Sequence, residues 1–505
     1  MADENEKIRW ASDPVDRDEK LLVGFSLGEL VPQDHAIRSF DELMNEVDWS
    51  DWESVYEGTG QPPIHPKMVA GAILYGLVIG LRSSRELEDA TEHRVDFQWY
   101  LSRRTIDYST FLKFRKRFGG QLPKLSGQLA KIAQKRLGGQ GKTLVIDGTM
   151  IRARSDRYKS NTAAQLAEKM AVLEVEISDL LAEIDTCDDN EELVEKVAQL
   201  QKELADQEAE LTDLRRMKEK AELRDKKKTR KKPTRVPTGD PDSRILQNKD
   251  GGCAPNYQVT ATVDADTGII VDQEVLGENN EVDAIKTSVE RCTELLGRPE
   301  ELVADQGFGS GKNLKMLAEA DIDAYIPQAR ETGNCKALRK DLTKPLPSDH
   351  IADLPTYGGF FSKEAFVYDS ECDALYCPSG QQLSRLRSQV DVRGSGPVRV
   401  VEYQGKTCAA CSLRSLCIRS KKAANRTVII DEYASLRTEV AVRMRSDEGQ
   451  AVYRRRAPAI ETVFGHVKAV MNVRYFFYRG LEAVQREWDV VCCAYNVKKL
   501  LRATS

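Results

Sequence analysis

Two acidic residues close short apolar runs and are followed at once by a glycine turn: Asp147 in Val145-Ile-Asp147-Gly-Thr and Asp305 in Val303-Ala-Asp305-Gln-Gly. An aspartate where a strand ends projects into the crevice in which open α/β sheets place their sites. Asp-Gly is also, first of all, a turn signal. A third carboxylate, Glu461, lies in the helical stretch Ala459-Ile-Glu-Thr-Val-Phe-Gly-His-Val-Lys468, with Lys468 two turns further on and on the same face. Three acidic groups from distant parts of the chain, meeting at one end of a sheet, are what two divalent cations need. Such ions take oxygen ligands, sit roughly 3.5 to 4 Å apart, and stabilise the attacking and leaving oxygens at a phosphorus.

A second set is sulfur. Cys377, Cys408, Cys411 and Cys417 follow the pattern C-x30-C-x2-C-x5-C, with Pro378 and Gly380 permitting a tight turn behind the first. Four thiolates with one CxxC knuckle suit tetrahedral zinc and would staple a small subdomain. The alternative is buried thiols, the reading that fits Cys492 and Cys493 on an apolar C-terminal helix.

Cations come in clusters. One holds Arg103, Arg104, Lys113, Arg115, Lys116 and Arg117; another runs from Arg215 to Arg235; a third holds Arg443, Arg445 and Arg454 to Arg456. Phosphate-binding surfaces are built this way, because each neutralised phosphate releases condensed counterions. Taken singly, such runs are also ordinary solvated faces.

These residues need elements to hold them. Residues 67 to 118 read as short helices, the last from Tyr108 to Phe118 with Ser109 as its expected N-cap. Phe111, Phe114 and Phe118 recur there on one face while Lys113, Lys116 and Arg117 lie mostly off it. A helix-turn-helix with Lys113, Arg115, Lys116 and Arg117 toward DNA is the specific form of this reading. From 163 to 223 the spacing changes: Leu166, Leu173, Ile177, Leu180 and Ile184 are 7, 4, 3 and 4 apart, and Leu193, Val197, Leu200, Leu204, Leu211 and Leu214 are 4, 3, 4, 7 and 3 apart. This is heptad spacing, broken once at Asp185 to Asn190. It predicts two helices folded back as an antiparallel hairpin, with a long dimeric rod as the alternative. Strand signals cover Lys142 to Gly148, Tyr257 to Val263, Gly268 to Val271, Glu301 to Gly307 and Ala324 to Pro327, with helices over 283 to 296 and 311 to 319. The order predicts a mixed sheet covered by helices and interrupted by insertions.

At 505 residues the chain has room for about three domains. It is 41% apolar and 31% charged, which excludes collagen, a disulfide mini-protein and disorder throughout. Lys and Arg number 75 against 80 Asp and Glu, for a net charge of −5. Residues 1 to 60 alone hold sixteen acidic against five basic side chains, so the remainder is positive. The longest apolar run, Val69 to Leu81, is well short of the ~20 residues of a membrane helix. The acidic start Ala2 to Glu6 lacks the pattern of an export signal, so a cytoplasmic location is expected, and with it eleven cysteines that are reduced or metal-bound.

The motifs around Asp147, Asp305 and Glu461, the stretch Glu461 to Lys468, the following Asn472-Val-Arg-Tyr-Phe-Phe-Tyr-Arg-Gly480 and the N-terminal helical region together resemble the DDE transposases of bacterial insertion sequences. The resemblance runs in order from about Leu21 to Leu501. It implies an α/β fold with a ribonuclease-H-like mixed sheet, Asp147 on its first strand, Asp305 after its fourth and Glu461 on a C-terminal helix. It implies Mg²⁺ or Mn²⁺ on those three carboxylates. Separations of 158 and 156 residues leave room for two insertions. The domains expected are a helical DNA-binding domain over 1–135; a catalytic core over 140–160, 240–327 and 431–501; an inserted coiled-coil hairpin over 161–235; and an inserted cysteine-rich module over 328–430. The family spacing Tyr-x-x-Arg-x-x-x-Glu-x6-Lys is met by Glu461 and Lys468, the latter implied to touch a terminal phosphate, whereas Tyr453-x-x-Arg456 stands one residue too far from Glu461. Arg456, Arg474 and Arg479 join Lys468 as implied DNA contacts.

The activity so implied is cleavage of the element's own double-stranded DNA ends and strand transfer into target DNA, by a homodimer assembled on DNA. The alternatives are a transposase-derived DNA-binding protein that no longer cuts and a scaffold organised by the hairpin. Asp240-Pro-Asp242-Ser-Arg244 also resembles the family, as a DNA contact near the site or as a capped turn. Trp49, Trp52 and Trp99 suit core packing or stacking on a flipped base.

Overall fold

Strand β1, Thr143–Arg152, is the axis of a six-stranded mixed sheet. The other strands are β2 (Arg244–Gln247), β3 (Cys253–Asp264), β4 (Ile270–Leu276), β5 (Glu301–Ala304) and β6 (Asp323–Tyr325). On one side β1 pairs antiparallel with β3, which continues to β2 and β4; on the other it pairs parallel with β5, and β5 with β6. The computed structural model describes residues 11, 15–16, 18–19, 24–56, 62–187, 194–226, 232–248, 251–277, 281–328, 341–369, 372–393, 396–420 and 422–503. The acidic start, the break at 188–190 with Glu191 to Leu193, and the basic run 227–231 lie outside these residues.

The sequence signals locate five of the six strands but cut β1 short. Beyond Gly148 it continues through Thr149, Met150 and Ile151, because β3 is long enough to pair with it as far as Arg152.

Fourteen helices of more than one turn accompany the sheets among the described residues: α1 (Ala36–Glu46), α2 (Pro66–Val78), α3 (Ser84–His93), α4 (Val95–Tyr100), α5 (Tyr108–Arg117), α6 (Leu122–Leu137), α7 (Ala163–Cys187), α8 (Val194–Lys226), α9 (Glu281–Leu296), α10 (Gly311–Glu319), α11 (Ala434–Arg445), α12 (Asp447–Arg454), α13 (Thr462–Ala469) and α14 (Leu481–Ala503). Helix α14 lies across β4 and against α6 and α2, so the N-terminal helices and the sheet share one apolar core running from Leu27 to Leu501. Three side chains of α14 bond to backbone of the sheet, two of them at the edge strand β4. Asn496 accepts from Ile270 N at 2.9 Å and donates to Ile270 O at 2.7 Å; Gln485 accepts from Val275 N at 2.6 Å; Trp488 donates to Thr260 O at 3.1 Å. An edge strand thus covered offers no ladder to another chain.

Phe111, Phe114 and Phe118 are buried as their spacing predicts, and so are Trp49, Trp52 and Trp99. The cap of α5 differs from expectation. Asp107, not Ser109, precedes the helix, and its carboxylate accepts from Thr110 N at 2.9 Å and from the Thr110 hydroxyl at 2.7 Å. A bond from the Ser109 side chain first, and then those from Thr110, bring its pKa down to about 2. A charged carboxylate two residues earlier is the better acceptor for the exposed N–H groups.

Helices α7 and α8 run antiparallel, as Glu183 with Lys196 (2.8 Å) at one end and Glu174 with Arg215 (3.0 Å) further down require. Leu166, Leu173, Leu211 and Leu214 share one apolar seam, and Ile184 and Leu200 another. The hairpin is tied to the sheet at the Asp240-Pro-Asp242 turn. Asp242 pairs with Arg216 and Lys220 of α8 and accepts from Leu481 N, while buried Asp240 accepts from Tyr257 Oη at 2.7 Å and Gly480 N at 3.2 Å. This turn is spent on internal bonds.

The cysteine region contains a sheet that the sequence signals do not locate: β7 (Val367–Asp369), β8 (Ala374–Tyr376), β9 (Gln382–Arg393), β10 (Gly396–Gln404) and β11 (Thr427–Asp431), antiparallel in chain order, with its own small core around Phe361, Leu375 and Tyr403.

Asp489 of α14 is buried and accepts from Gln273 at 3.1 Å and Gln485 at 2.8 Å, yet burial pushes its pKa up to about 6. The folded value lies above the unfolded one, so its contribution is complete below about pH 4 and is lost as pH rises through 6. Asp489→Asn is therefore expected to melt with the wild type at pH 4 and to be more stable by about 3 kcal/mol at pH 8, as read from thermal melts at the two pH values.

Candidate active site

Strand pairing brings the two aspartates together. In the parallel ladder Val145 faces Val303 and Ile146 faces Ala304, so Asp147 and Asp305 are the next residues of neighbouring strands. Strands lie about 4.8 Å apart. Chain direction then separates: β1 runs on beside β3, and β5 ends as Asp305 turns the chain, its carboxylate accepting from Gly307 N at 2.6 Å. Asp147 accepts from Gly148 N at 2.8 Å.

Glu461 arrives from the other side, on a helix bent by one π turn. The segment Ala457–Glu461 is a π-helix between α12 and α13, packed on β1 and β3. A π turn carries one residue more than an α turn. This absorbs the extra residue between Arg456 and Glu461 and puts the two one turn apart on the same face. Arg456 Nη2 reaches Asp147 Oδ2 at 2.6 Å and its Nη1 lies 3.7 Å from Glu461 Oε1. The Arg456 and Asp147 side chains are only 16% and 15% exposed, Glu461 64%. Tyr453, one turn earlier, feels all of them: its phenol is pushed up mainly by burial, held back by Arg456, and raised further by Asp305, Asp147 and Glu461.

Lys468 continues the same face. Its Nζ donates to Thr149 Oγ1 at 2.6 Å, and Thr149, two residues beyond Asp147 on β1, points to the same side of the sheet. Sequence reasoning missed Thr149; the signal for it was the period-2 pattern of a strand that continues past its glycine.

The loop after α13 carries Arg474 and Arg479, both exposed. Arg152 N donates to Arg474 O at 3.2 Å and Phe476 N to Arg152 O at 2.9 Å, so the loop extends the end of β1. Arg82 fastens it from the N-terminal region, a role that no spacing announced. This arginine is 5% exposed and donates to Asn472 O and Tyr475 O, both at 2.7 Å. It also pairs with Glu487 at 3.2 Å and stacks over Phe477 at 4.3 Å.

Of the expected contacts on α5, Lys113 and Lys116 are exposed. Arg115 instead donates to Arg82 O at 3.3 Å, and Arg117 to Val55 O at 2.5 Å while covering the Tyr56 ring. In the third basic cluster Arg443 and Arg455 are partly exposed and paired, Arg443 with Asp323 at 2.7 Å and Arg455 with Asp266.

Cys377, Cys408, Cys411 and Cys417 line a single small cavity at the end of the second sheet. Burial, and then the other three thiols, push the Cys417 pKa up to about 11, held back by Arg426. Among the described residues no group of three or more His, Cys, Asp or Glu side chains is already arranged to hold an ion, so either donor set would have to draw together around its metal. In chemistry the two donor sets differ as the two expected metals do, oxygens at 147, 305 and 461 and sulfurs at 377, 408, 411 and 417.

Residues 376–501 match the family described as a Transposase DDE domain, and residues 25–117 the one described as a Transposase domain (DUF772). Together the two matches indicate a DDE-type transposase of an insertion sequence. No curated protein matches the chain. The first match contains Glu461, Lys468 and the four cysteines of the transposase; the second contains α5; Asp147 and Asp305 lie between them. The family works with divalent metal on DNA, and no described helix of this transposase is long and apolar enough to cross a membrane.

Arg456 bridges Asp147 and Glu461. Arg456→Gln is expected to destabilise the wild type by about 1 to 3 kcal/mol and to cost little in an Asp147→Asn background, a coupling that urea unfolding of the four proteins measures.

Proposed function

We propose that the transposase binds the double-stranded ends of its own insertion sequence, cleaves them at one metal-dependent centre and joins the freed ends to target DNA. The observation that carries this reading is the β1 and β5 register, which makes Asp147 and Asp305 neighbours, with Glu461 linked to them through Arg456. In this reading the six-stranded sheet is a ribonuclease-H-like core, preceded by a helical DNA-binding region and interrupted by the α7–α8 hairpin and the cysteine-rich sheet.

Asp147, Asp305 and Glu461 would hold two divalent cations, Mg²⁺ or Mn²⁺, which when bound supply Lewis-acid stabilisation of the attacking and leaving oxygens. The chain's own residues do the rest. Arg456 gives up Asp147 and turns its guanidinium to a phosphate, a geometry its planar fork suits. Lys468, fixed by Thr149, presents a point charge beside the first aspartate. Arg474 and Arg479 extend the positive track along the loop that Arg82 holds, and Lys113 and Lys116 offer a second contact on α5. Since the two ends of an element must be joined together, two chains act in one complex as a homodimer on DNA.

The cysteine set is proposed to bind one structural zinc through Cys377, Cys408, Cys411 and Cys417, because all four face one cavity. One zinc per chain by elemental analysis, lost in Cys408→Ser/Cys411→Ser, is the expected result; a metal-free wild type would remove the assignment.

Cleavage tests the main reading. With Mg²⁺ and a labelled duplex carrying the DNA that flanks its gene, the wild type should nick at a defined position, and Asp147→Ala and Glu461→Gln should not. Wild-type nicking by Asp147→Ala would refute the assignment. Specific binding without any cutting would instead favour a DNA-binding relic.

A further inference from the structure

Helix α13 has a second functional-looking face. Thr462 and His466 lie 100° or more round the helix from Glu461 and Lys468, taking about 100° per residue. There a cavity of about 470 Å³ opens between α13, the end of α14 and the turn joining β3 to β4. Lys498, Lys499 and Arg502 line it together with His466 and Thr462. The one carboxylate in its wall, Asp266, is engaged by Arg455.

Among the described residues neither Lys499 nor Arg502 pairs with a carboxylate, and Lys498 donates to the Val78 carbonyl at 3.0 Å. Lys499 Nζ sits over Gly268, where a β-carbon would collide with it. Gly268 has φ +65°, so the turn both needs glycine and leaves the ammonium its room. His466 Nε2 is buried without a hydrogen-bond partner among the described residues. Burial first, and then Arg502, lower the pKa of both lysines; burial, Lys498 and Arg502 lower that of His466. Cations do gather at helix C-termini, but the end of a helix carries only about half a negative charge. Three cations in one concavity exceed that demand.

We propose that this cavity is a phosphate-binding site, distinct from the carboxylate centre and one helix face away from it. The shared chemistry is a dianionic or diester phosphate held by Lys499 and Arg502, with Lys498 fixing the floor. The source is a DNA backbone phosphate or a free phosphate compound. Only the first of these rests on the reading given above as a DNA-acting enzyme.

The test uses the full chain, Arg502→Gln alone and Lys499→Gln/Arg502→Gln. Lys498 is kept because it holds the Val78 carbonyl, and melting temperatures verify folding. One arm measures affinity for the flanking-DNA duplex against salt. A backbone phosphate in the cavity predicts a log–log slope shallower by about 0.9 for each phosphate that the variant no longer neutralises. The other arm titrates inorganic pyrophosphate at fixed ionic strength. A free-phosphate site predicts binding by the wild type that weakens about tenfold or more in the double variant, a loss of about 1.4 kcal/mol. A change in either arm supports the site and names its source. An unchanged slope together with unchanged pyrophosphate binding overturns it, even where the wild type cuts DNA. Conversely, a wild type that binds pyrophosphate here but never cuts DNA keeps the site and removes the proposed activity.

Discussion

The parallel pairing of β1 with β5 is the constraint on which the rest of the arrangement depends. Parallel strands need a long crossover between them, and here the connection carries the α7–α8 hairpin, β2 to β4 and α9. Within it β3 pairs with β1 on the side away from β5, so β1 is held from both sides and the ladder's last pair is Ile146 with Ala304. What the ladder fixes is the next residue on each strand, and both are aspartates. Two carboxylates side by side repel, and a positive charge nearby favours their ionised form. Arg456 provides it in this structure, and its reach to both Asp147 and Glu461 depends on the π turn that precedes α13.

A second joint links the N-terminal helices to the loop after α13. Arg82 comes from the N-terminal helices, yet its partners are the 472–480 loop and Glu487 of α14. Asn472 there has φ +55°, a left-handed conformation that Asn tolerates better than most residues, and it turns its carbonyl toward Arg82. Burial raises the Glu487 pKa, while Phe477 N, Tyr478 N and the Arg82 guanidinium all favour its charged form. The loop bearing Arg474 and Arg479 is thus positioned by a residue some 390 positions earlier in the chain. Since α2, α6 and α14 share one core, the N-terminal helices are packed into the protein and not merely tethered to it.

Much of this was legible in the sequence where a local physical signal existed. Apolar runs ended by Asp and Gly located β1 and β5, and heptad spacing located the two arms of the hairpin, because both signals are periodic and short-range. The second sheet escaped detection because its long strands are half solvated: Leu386 and Val390 on β9 are exposed, so no clean alternation marks them. Charge clusters showed which cations lie near one another but not their partners: Arg115, Arg117, Arg443 and Arg455 each reach a carbonyl or carboxylate that only the tertiary fold supplies. Asp107 outcompeted Ser109 as a cap because a carboxylate accepts several bonds at once. The extra residue before Glu461, an apparent fault in spacing, became interpretable only once the helix was seen to contain a π turn.

Asp147, Asp305 and Glu461 are proposed to act as one cation-binding unit. Mn²⁺ binding to the DNA-free protein, followed by electron paramagnetic resonance for the wild type and for Asp305→Asn, checks this. Saturable binding by the wild type that Asp305→Asn loses is expected, with the melting temperature of the metal-free proteins unchanged. Equal Mn²⁺ affinity in the two proteins would mean that the three carboxylates do not form such a unit.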